Sequence, residues 1–297
     1  MASSPTGIAG DIGTPQNHDS AHKHVAGSAI YVDDILTPDN TLFVLIAQSP
    51  HAHARIIDMD LSAVAASPGI ARVMSAADIP GVNDCSPVYG DDPVFAEAEV
   101  CYVGQAVFAV AAQSMTAAHA AIEKAIISYE PLPAVLTIEE AVKAGSFLGP
   151  AATMASGDAD AAIAVAPHRL SGTIDIGGQE HFYLEGQAAL AIPGEDGEML
   201  LHASTQHPSE IQHKVAAVLG LANHDVTVQT RRMGGAFGGK ESQGNLPAIT
   251  AALAAHLTGQ PAKTVYDRDD DFMLTGKRHD FRIDYSLGFD GDGRIRG

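Results

Sequence analysis

Tryptophan is missing from this sequence, cysteine is nearly so, and no apolar run approaches the length of a membrane span. Each shortage removes a class of protein. Cys85 and Cys101 form no CxxC pair, so the chain's own thiols cannot hold an iron–sulfur cluster or a structural zinc. Both are expected to be reduced. Crossing a bilayer takes ~20 consecutive apolar residues, which excludes a transmembrane helix. Residues 1–19 are polar and bear Gly and Pro without a basic patch or apolar core, so no secretory signal is read there and a cytoplasmic location is expected. Basic residues are scarce as well. Against 36 Asp and Glu there are 17 Lys and Arg, a net charge of −19, and that field repels phosphate backbones and argues against a nucleic-acid partner.

What remains is a chain of 297 residues, 46% hydrophobic, long enough for two domains with a buried core. Residues 23–135 read as a small α+β unit. Strands are expected at 42–48, 71–74 and 106–111. A helix is expected over 116–127, capped by Ser114, with Ala118, Ile122, Ala125 and Ile126 on one face, and stopped before Glu130-Pro131-Leu132-Pro133. Residues 131–166 read as a partly helical connector, with a boundary near 150. The second block alternates more regularly. A strand over 199–203 precedes a helix over 208–219, where Pro208 suits the first turn and Gly220 ends it. A strand at 226–230, a glycine loop, a helix over 246–257 closed by Gly259 and Pro261, and a strand at 264–267 follow.

The loop Gly234-Gly235-Ala236-Phe237-Gly238-Gly239-Lys240-Glu241 is the densest signal. Glycine costs roughly 0.5–1 kcal/mol inside a regular element. Four of them around one aromatic therefore imply positive φ, or a neighbour too close for a Cβ. The spacing GxxxxGK is satisfied, but Glu241 stands where a P-loop needs a magnesium-binding hydroxyl, so a nucleotide triphosphate is disfavoured. A packing turn and a loop pressed on another ligand both remain. The pairs His22/His24 and His51/His53 have i,i+2 spacing without the further ligands that zinc needs, and are read as structural. Asp267, Asp269, Asp270 and Asp271 lack an EF-hand register and read as a solvated acidic turn. Residues 279–289 alternate strongly and fold back at Asp290–Gly293, leaving only 294–297 as an apparent partner. An unpaired apolar strand is an aggregation liability, so a fragment or one piece of a split protein, poorly soluble alone, is expected.

Specific motifs run nearly end to end: Tyr31-Val32-Asp33-Asp34, Ser49-Pro50-His51-Ala52-His53-Ala54, Val103-Gly104-Gln105, Tyr129-Glu130-Pro131-Leu132-Pro133-Ala134-Val135, the segment Gly177–Glu185, Thr205-Gln206-His207-Pro208, Gly234–Glu241 and Asp267-Arg268-Asp269. With them the sequence resembles the molybdenum-binding part of the xanthine dehydrogenase family, within the wider molybdenum hydroxylases that include aldehyde oxidase. The resemblance implies an α+β fold with an N-terminal extension over 1–21, an α/β hammerhead domain over 22–137, a connector over 138–165 and the incomplete beginning of a molybdopterin-binding domain over 166–297. It implies a molybdenum–molybdopterin cofactor held without direct side-chain ligation. Gln179 would face an oxygen ligand of the metal through its amide, and Phe237 and Gly238 would line the cofactor through the main chain. Glu241 would recognise a purine ring, with a Lys240–Glu241 ion pair as the plainer alternative. Glu180 and His181 are read as supporting residues.

The reaction implied is hydroxylation of hypoxanthine and xanthine to uric acid with water as oxygen source. Electrons would leave to [2Fe-2S] clusters and FAD on a partner chain or domain, in an oligomeric assembly. The base and substrate clamp of the family lie beyond residue 297, so no catalytic base is assigned and the isolated chain is expected to be inactive. Aldehydes or other N-heterocycles as substrates, or a non-catalytic assembly role, are the alternatives.

Overall fold

The computed structural model describes residue 13 and residues 15–297; for residues 1–12 and 14 the expected extension and absent signal lie outside the described residues. The first block contains β1 (Leu42–Gln48), β2 (Ala54–Asp60), β3 (Ile70–Met74), β4 (Glu99–Val100), β5 (Ala106–Ala112) and β6 (Ile126–Pro131), with α1 (Ala21–Val25), α2 (Ser62–Ala65) and α3 (Met115–Ile122). Two short helices, α4 (Ile138–Ala144) and α5 (Ala159–Val165), punctuate the connector. The rest holds β7 (His168–Ile176), β8 (Ala188–Pro193), β9 (Met199–Ala203), α6 (Pro208–Leu219), β10 (Val226–Gln229), α7 (Asn245–Thr258), β11 (Ala262–Val265), α8 (Arg268–Leu274) and β12 (Phe281–Phe289).

One seven-stranded sheet, in the order β10-β9-β8-β11-β1-β5-β3, takes strands from both blocks. They meet where β1 runs parallel to β11, Leu42 opposite Ala262. Strand alternation then makes two cores from one sheet, because successive side chains point to opposite faces. Val44 and Ile46 of β1, with Ala109 and Ala111 of β5, join α6 and α7 in one core. Leu45 and Ala47, with Phe108, Val110 and Ala112, join α3 and the small sheet β4-β2-β6 in the other. The alanines 251, 252, 254 and 255 of α7 are fully buried, which lets that helix lie close on the sheet. The architecture is α+β, as expected.

Three local expectations are corrected. Helix α3 ends at Ile122, not Ile127, because Ile126 and Ile127 pair with Asp60 and Met59 of β2. β-Branched residues fit a paired strand better than a helix end. The acidic run 267–271 is no solvated turn. Asp267 caps α8 by accepting the Asp270 N–H at 2.8 Å, and Asp271 is buried. The terminal strand is not unpaired either. β12 pairs with β7 over its whole length, from Phe281 opposite Ile176 to Phe289 opposite His168. Its partner lies upstream, in a segment for which no strand is expected from the sequence. Among the described residues no helix is long and apolar enough to cross a membrane.

Candidate functional site

Four segments converge beyond the strand ends: residues 177–187, residues 204–207, the glycine loop, and α8 with the residues after it. The glycine loop is bare because the chain itself presses on it. A Cβ on Gly234 would stand 2.5 Å from Glu185 Cβ, and one on Gly235 3.1 Å from Tyr183 Cβ. On Gly239 it would stand 2.6 Å from Tyr183 Cε1 and 2.7 Å from His181 Cγ. Segment 181–185 is thus the neighbour that three of the four glycines admit. Gly238 differs. At φ +92° its nearest such neighbour is His181 Nε2 at 3.9 Å, so that side of the backbone is open.

A buried polar network fixes the loop from beneath. Lys240 is wholly buried, and its Nζ lies 3.0 Å from Glu185 Oε2 and 2.9 Å from Ser204 Oγ, 4.7 Å from the centre of the Tyr183 ring. The alternative pair with Glu241 is therefore not formed. Burial lowers the Lys240 pKa, and the Glu185 carboxylate opposes that shift. Glu185 Oε2 also accepts from Ser204 Oγ and the Gly234 N–H, both at 2.7 Å. Tyr183 donates its hydroxyl to Asp271 Oδ1 at 2.8 Å, and Gln187 Nε2 donates to both the Tyr183 hydroxyl and the Gly239 carbonyl, each at 2.8 Å. Arg268 closes the circuit on Asp271 at 3.2 Å and on the Tyr183 carbonyl at 2.8 Å. Burial pushes the Asp271 carboxyl and the Tyr183 hydroxyl above their ordinary values. Charged groups this deep are tolerated because they are paired and hydrogen-bonded.

What the loop leaves outward is specific. Phe237 is 76% exposed at φ +57°, a region unfavourable for a bulky residue, and its N–H bonds to no described residue. The Gly238 N–H is occupied, donating to Gln206 Oε1 at 2.9 Å. Gln179 is exposed; its main chain pairs with Arg278 and its Nε2 donates to the Glu180 carbonyl at 3.2 Å. Glu241 is exposed, and no described residue forms a hydrogen bond or ion pair with it. The next two residues of the chain, Ser242 and Gln243, line a cleft of about 560 Å³ with Tyr102, Phe272 and Lys277, and Glu241 is not among its walls.

Glu180 braces the Gln179 loop. Burial opposes its ionisation, but the Lys277 ammonium at 2.8 Å and the amides of Phe182 and His181 hold its carboxyl below the ordinary value. The His51/His53 pair has structural tasks: His53 bonds Glu99 and the Pro133 carbonyl, and His51 packs 4.8 Å from the Tyr129 ring. Among the described residues no group of three or more His, Cys, Asp or Glu could hold a metal ion.

Sequence reasoning overlooked Phe182, Gln187 and Arg268. Phe182 also has positive φ and stacks on Phe272 at 5.8 Å, with the Arg268 guanidinium 5.2 Å from its ring centre. Phe182 and Arg268 sit inside motifs already singled out; for Gln187 no local signal exists.

Residues 143–297 match the family model described as the molybdopterin cofactor-binding domain, and residues 26–133 match that of the aldehyde oxidase and xanthine dehydrogenase a/b hammerhead domain. The chain is 43% identical over 288 residues to a xanthine dehydrogenase of Oryza sativa subsp. japonica, covering 96% of this chain and 21% of that protein. It is 40% identical over 286 residues to aldehyde oxidase 3 of Rattus norvegicus, with the same two coverages. Among solved structures, the aldehyde oxidoreductase of Desulfovibrio gigas superposes with a TM-score of 0.82 at 25% identity, covering 93% of this chain and 32% of that one. The chain thus spans about a fifth of the length of the curated relatives it matches.

Proposed function

We propose that this chain, which belongs to the xanthine dehydrogenase and aldehyde oxidase family of molybdenum hydroxylases and carries its molybdopterin cofactor-binding domain, provides the cofactor-facing loop and one wall of the substrate site in an enzyme that hydroxylates hypoxanthine and xanthine to uric acid. The residues present suit a molybdenum–molybdopterin group. The free Phe237 N–H, the open Gly238 backbone and the Gln179 amide are neutral donors or bare main chain. Neutral groups can approach an oxygen-rich cofactor without adding charge or competing as metal ligands. When bound, that group supplies the two-electron redox chemistry. Gln179 Nε2 would turn from the Glu180 carbonyl toward the cofactor, the Phe237 N–H would donate to it, and the Gly238 backbone would give it room.

The observation that carries the purine reading is Glu241. Its carboxylate is uncommitted, while the adjacent Lys240 is drawn inward by Glu185 and cannot neutralise it. A purine ring offers N–H groups to such an acceptor, and a negative charge at a fixed position steadies the proton shifts that accompany attack on the ring. The base and clamp would come from polypeptide beyond this sequence, and iron–sulfur and flavin groups on a partner chain or domain would take the electrons. Aldehyde oxidation is the second reading, favoured by the near-equal identity to the rat aldehyde oxidase.

Glu241→Ala in the complete enzyme separates the two. Xanthine kcat/KM is expected to fall by roughly 100- to 1,000-fold, the scale of losing one well-placed transition-state contact, with turnover of an aromatic aldehyde little changed. Near-normal xanthine turnover would reject the role.

A further inference from the structure

The imidazole of His181 is oriented by packing and by no polar partner. A Cβ on Gly239 would stand 2.7 Å from its Cγ and 2.8 Å from its Nδ1, and the ring stacks on Tyr183 at 26° with centroids 6.4 Å apart. Tyr183 is itself held by Asp271 and Gln187. His181 Nδ1 is buried without a hydrogen bond, and Glu180 Oε1, at 3.9 Å, lies out of reach. Nε2 bonds to no described residue either. With Nδ1 buried and the side chain 19% exposed, the exposure lies at the Nε2 end of the ring. That end faces the open side of the glycine loop, 3.9 Å from where a Cβ on Gly238 would stand. His53 shows the opposite arrangement. One of its ring nitrogens is 2.7 Å from the Pro133 carbonyl and the other 2.8 Å from Glu99, as expected of a histidine whose task is structural.

We infer that His181 Nε2 is a hydrogen-bonding contact for the molybdopterin group, an inference that rests on the cofactor reading of this loop given above. A neutral imidazole carries one donor and one acceptor, and a pterin ring offers N–H groups as well as nitrogen and oxygen acceptors, so either tautomer of His181 meets a partner. The Gln179 amide is spent on the Glu180 carbonyl and has to turn. His181 needs no such rearrangement, because Gly239 and Tyr183 already fix its ring. Glycine at 238 serves the same contact, since a Cβ there would occupy space next to Nε2.

Diethyl pyrocarbonate labelling of the complete assembly, prepared with molybdopterin and from cells unable to make it, tests this by peptide mass mapping. His181 should react several-fold more slowly in the loaded assembly, while His224, whose side chain is 86% exposed, reacts alike in both. Variants give an independent reading. His181→Phe keeps the packed ring and removes both nitrogens, so molybdenum should leave the loaded assembly about tenfold faster, the scale of one hydrogen bond. The cofactor-free assembly should melt as wild type does. His181→Gln, which can place its amide near the Nε2 position, should restore most of the retention. Equal labelling of His181 in the two assemblies, wild-type retention in His181→Phe, or the same fall in melting temperature with and without cofactor would overturn the inference and leave the cofactor reading standing. A wild-type assembly purified from molybdopterin-making cells without molybdenum would overturn both.

Discussion

Lys240→Met is the sharpest test of how the candidate site is held. Methionine nearly matches the aliphatic stem and removes only the charged end. In the folded protein that end is 0% exposed and neutralises Glu185, whose side chain is 12% exposed. Removing it strands a carboxylate that retains only the Ser204 hydroxyl and the Gly234 N–H. Breaking a buried ion pair from one side costs about 3–5 kcal/mol, and the slight exposure of Glu185 points to the lower end. At roughly 2–4 °C per kcal/mol for a chain of this size, the melting temperature should drop by about 6–12 °C. Adding Glu185→Gln removes the stranded charge and keeps a hydrogen-bond partner for Ser204, so the double variant should recover much of the loss. A coupling of about 2–3 kcal/mol in the cycle is expected. Thermal unfolding of wild type, both single variants and the double variant measures it. If Lys240→Met melts within about 1 °C of wild type, or if the two single effects simply add, the pair does not brace the glycine loop as described.

The same geometry ranks the glycines. Gly239→Ala should destabilise more than Gly238→Ala, because only the former drives a Cβ into His181 and Tyr183, and melting curves of the two variants decide the order. At Gly238 the cost is backbone strain from φ +92°, about 1–2 kcal/mol. A pH effect should centre on His53, whose pKa is raised above 6.5 first by the Pro133 carbonyl and then by Glu99. A histidine with a raised folded pKa adds stability that is full below its unfolded value and fades as pH climbs through the folded value. The destabilisation from Glu99→Gln should therefore be larger in melts at pH 5 than at pH 8, about a unit and a half either side of the ordinary histidine value, and equal losses would rule the pair out.

Much of the second block could be read locally. Helix α6 begins at Pro208 and ends at Gly220, which adopts the left-handed conformation, and α7 is closed by Gly259 in the same way. Punctuation of that kind acts within a few residues, so sequence reveals it. β7 could not be read so, because its apolar residues gain meaning only when β12, over 100 positions later, lies beside them. The end of α3 failed for a related reason: Ile126 and Ile127 suit either element until β2 claims them.

By itself the sequence determined the family, through motifs specific enough to name it, and singled out Gln179, Phe237, Gly238 and Glu241 as candidates. Tertiary structure alone decided what those residues touch. It drew Lys240 to Glu185, 55 residues earlier, and so left Glu241 without its neighbour's charge. It set segment 181–185 against Gly234, Gly235 and Gly239, leaving only Gly238 open. It buried Asp271 beneath Tyr183, 88 residues away. Propensities and caps act over one or two turns of chain, whereas these pairings are fixed by how sheet and helices stack, and no spacing in the sequence encodes them.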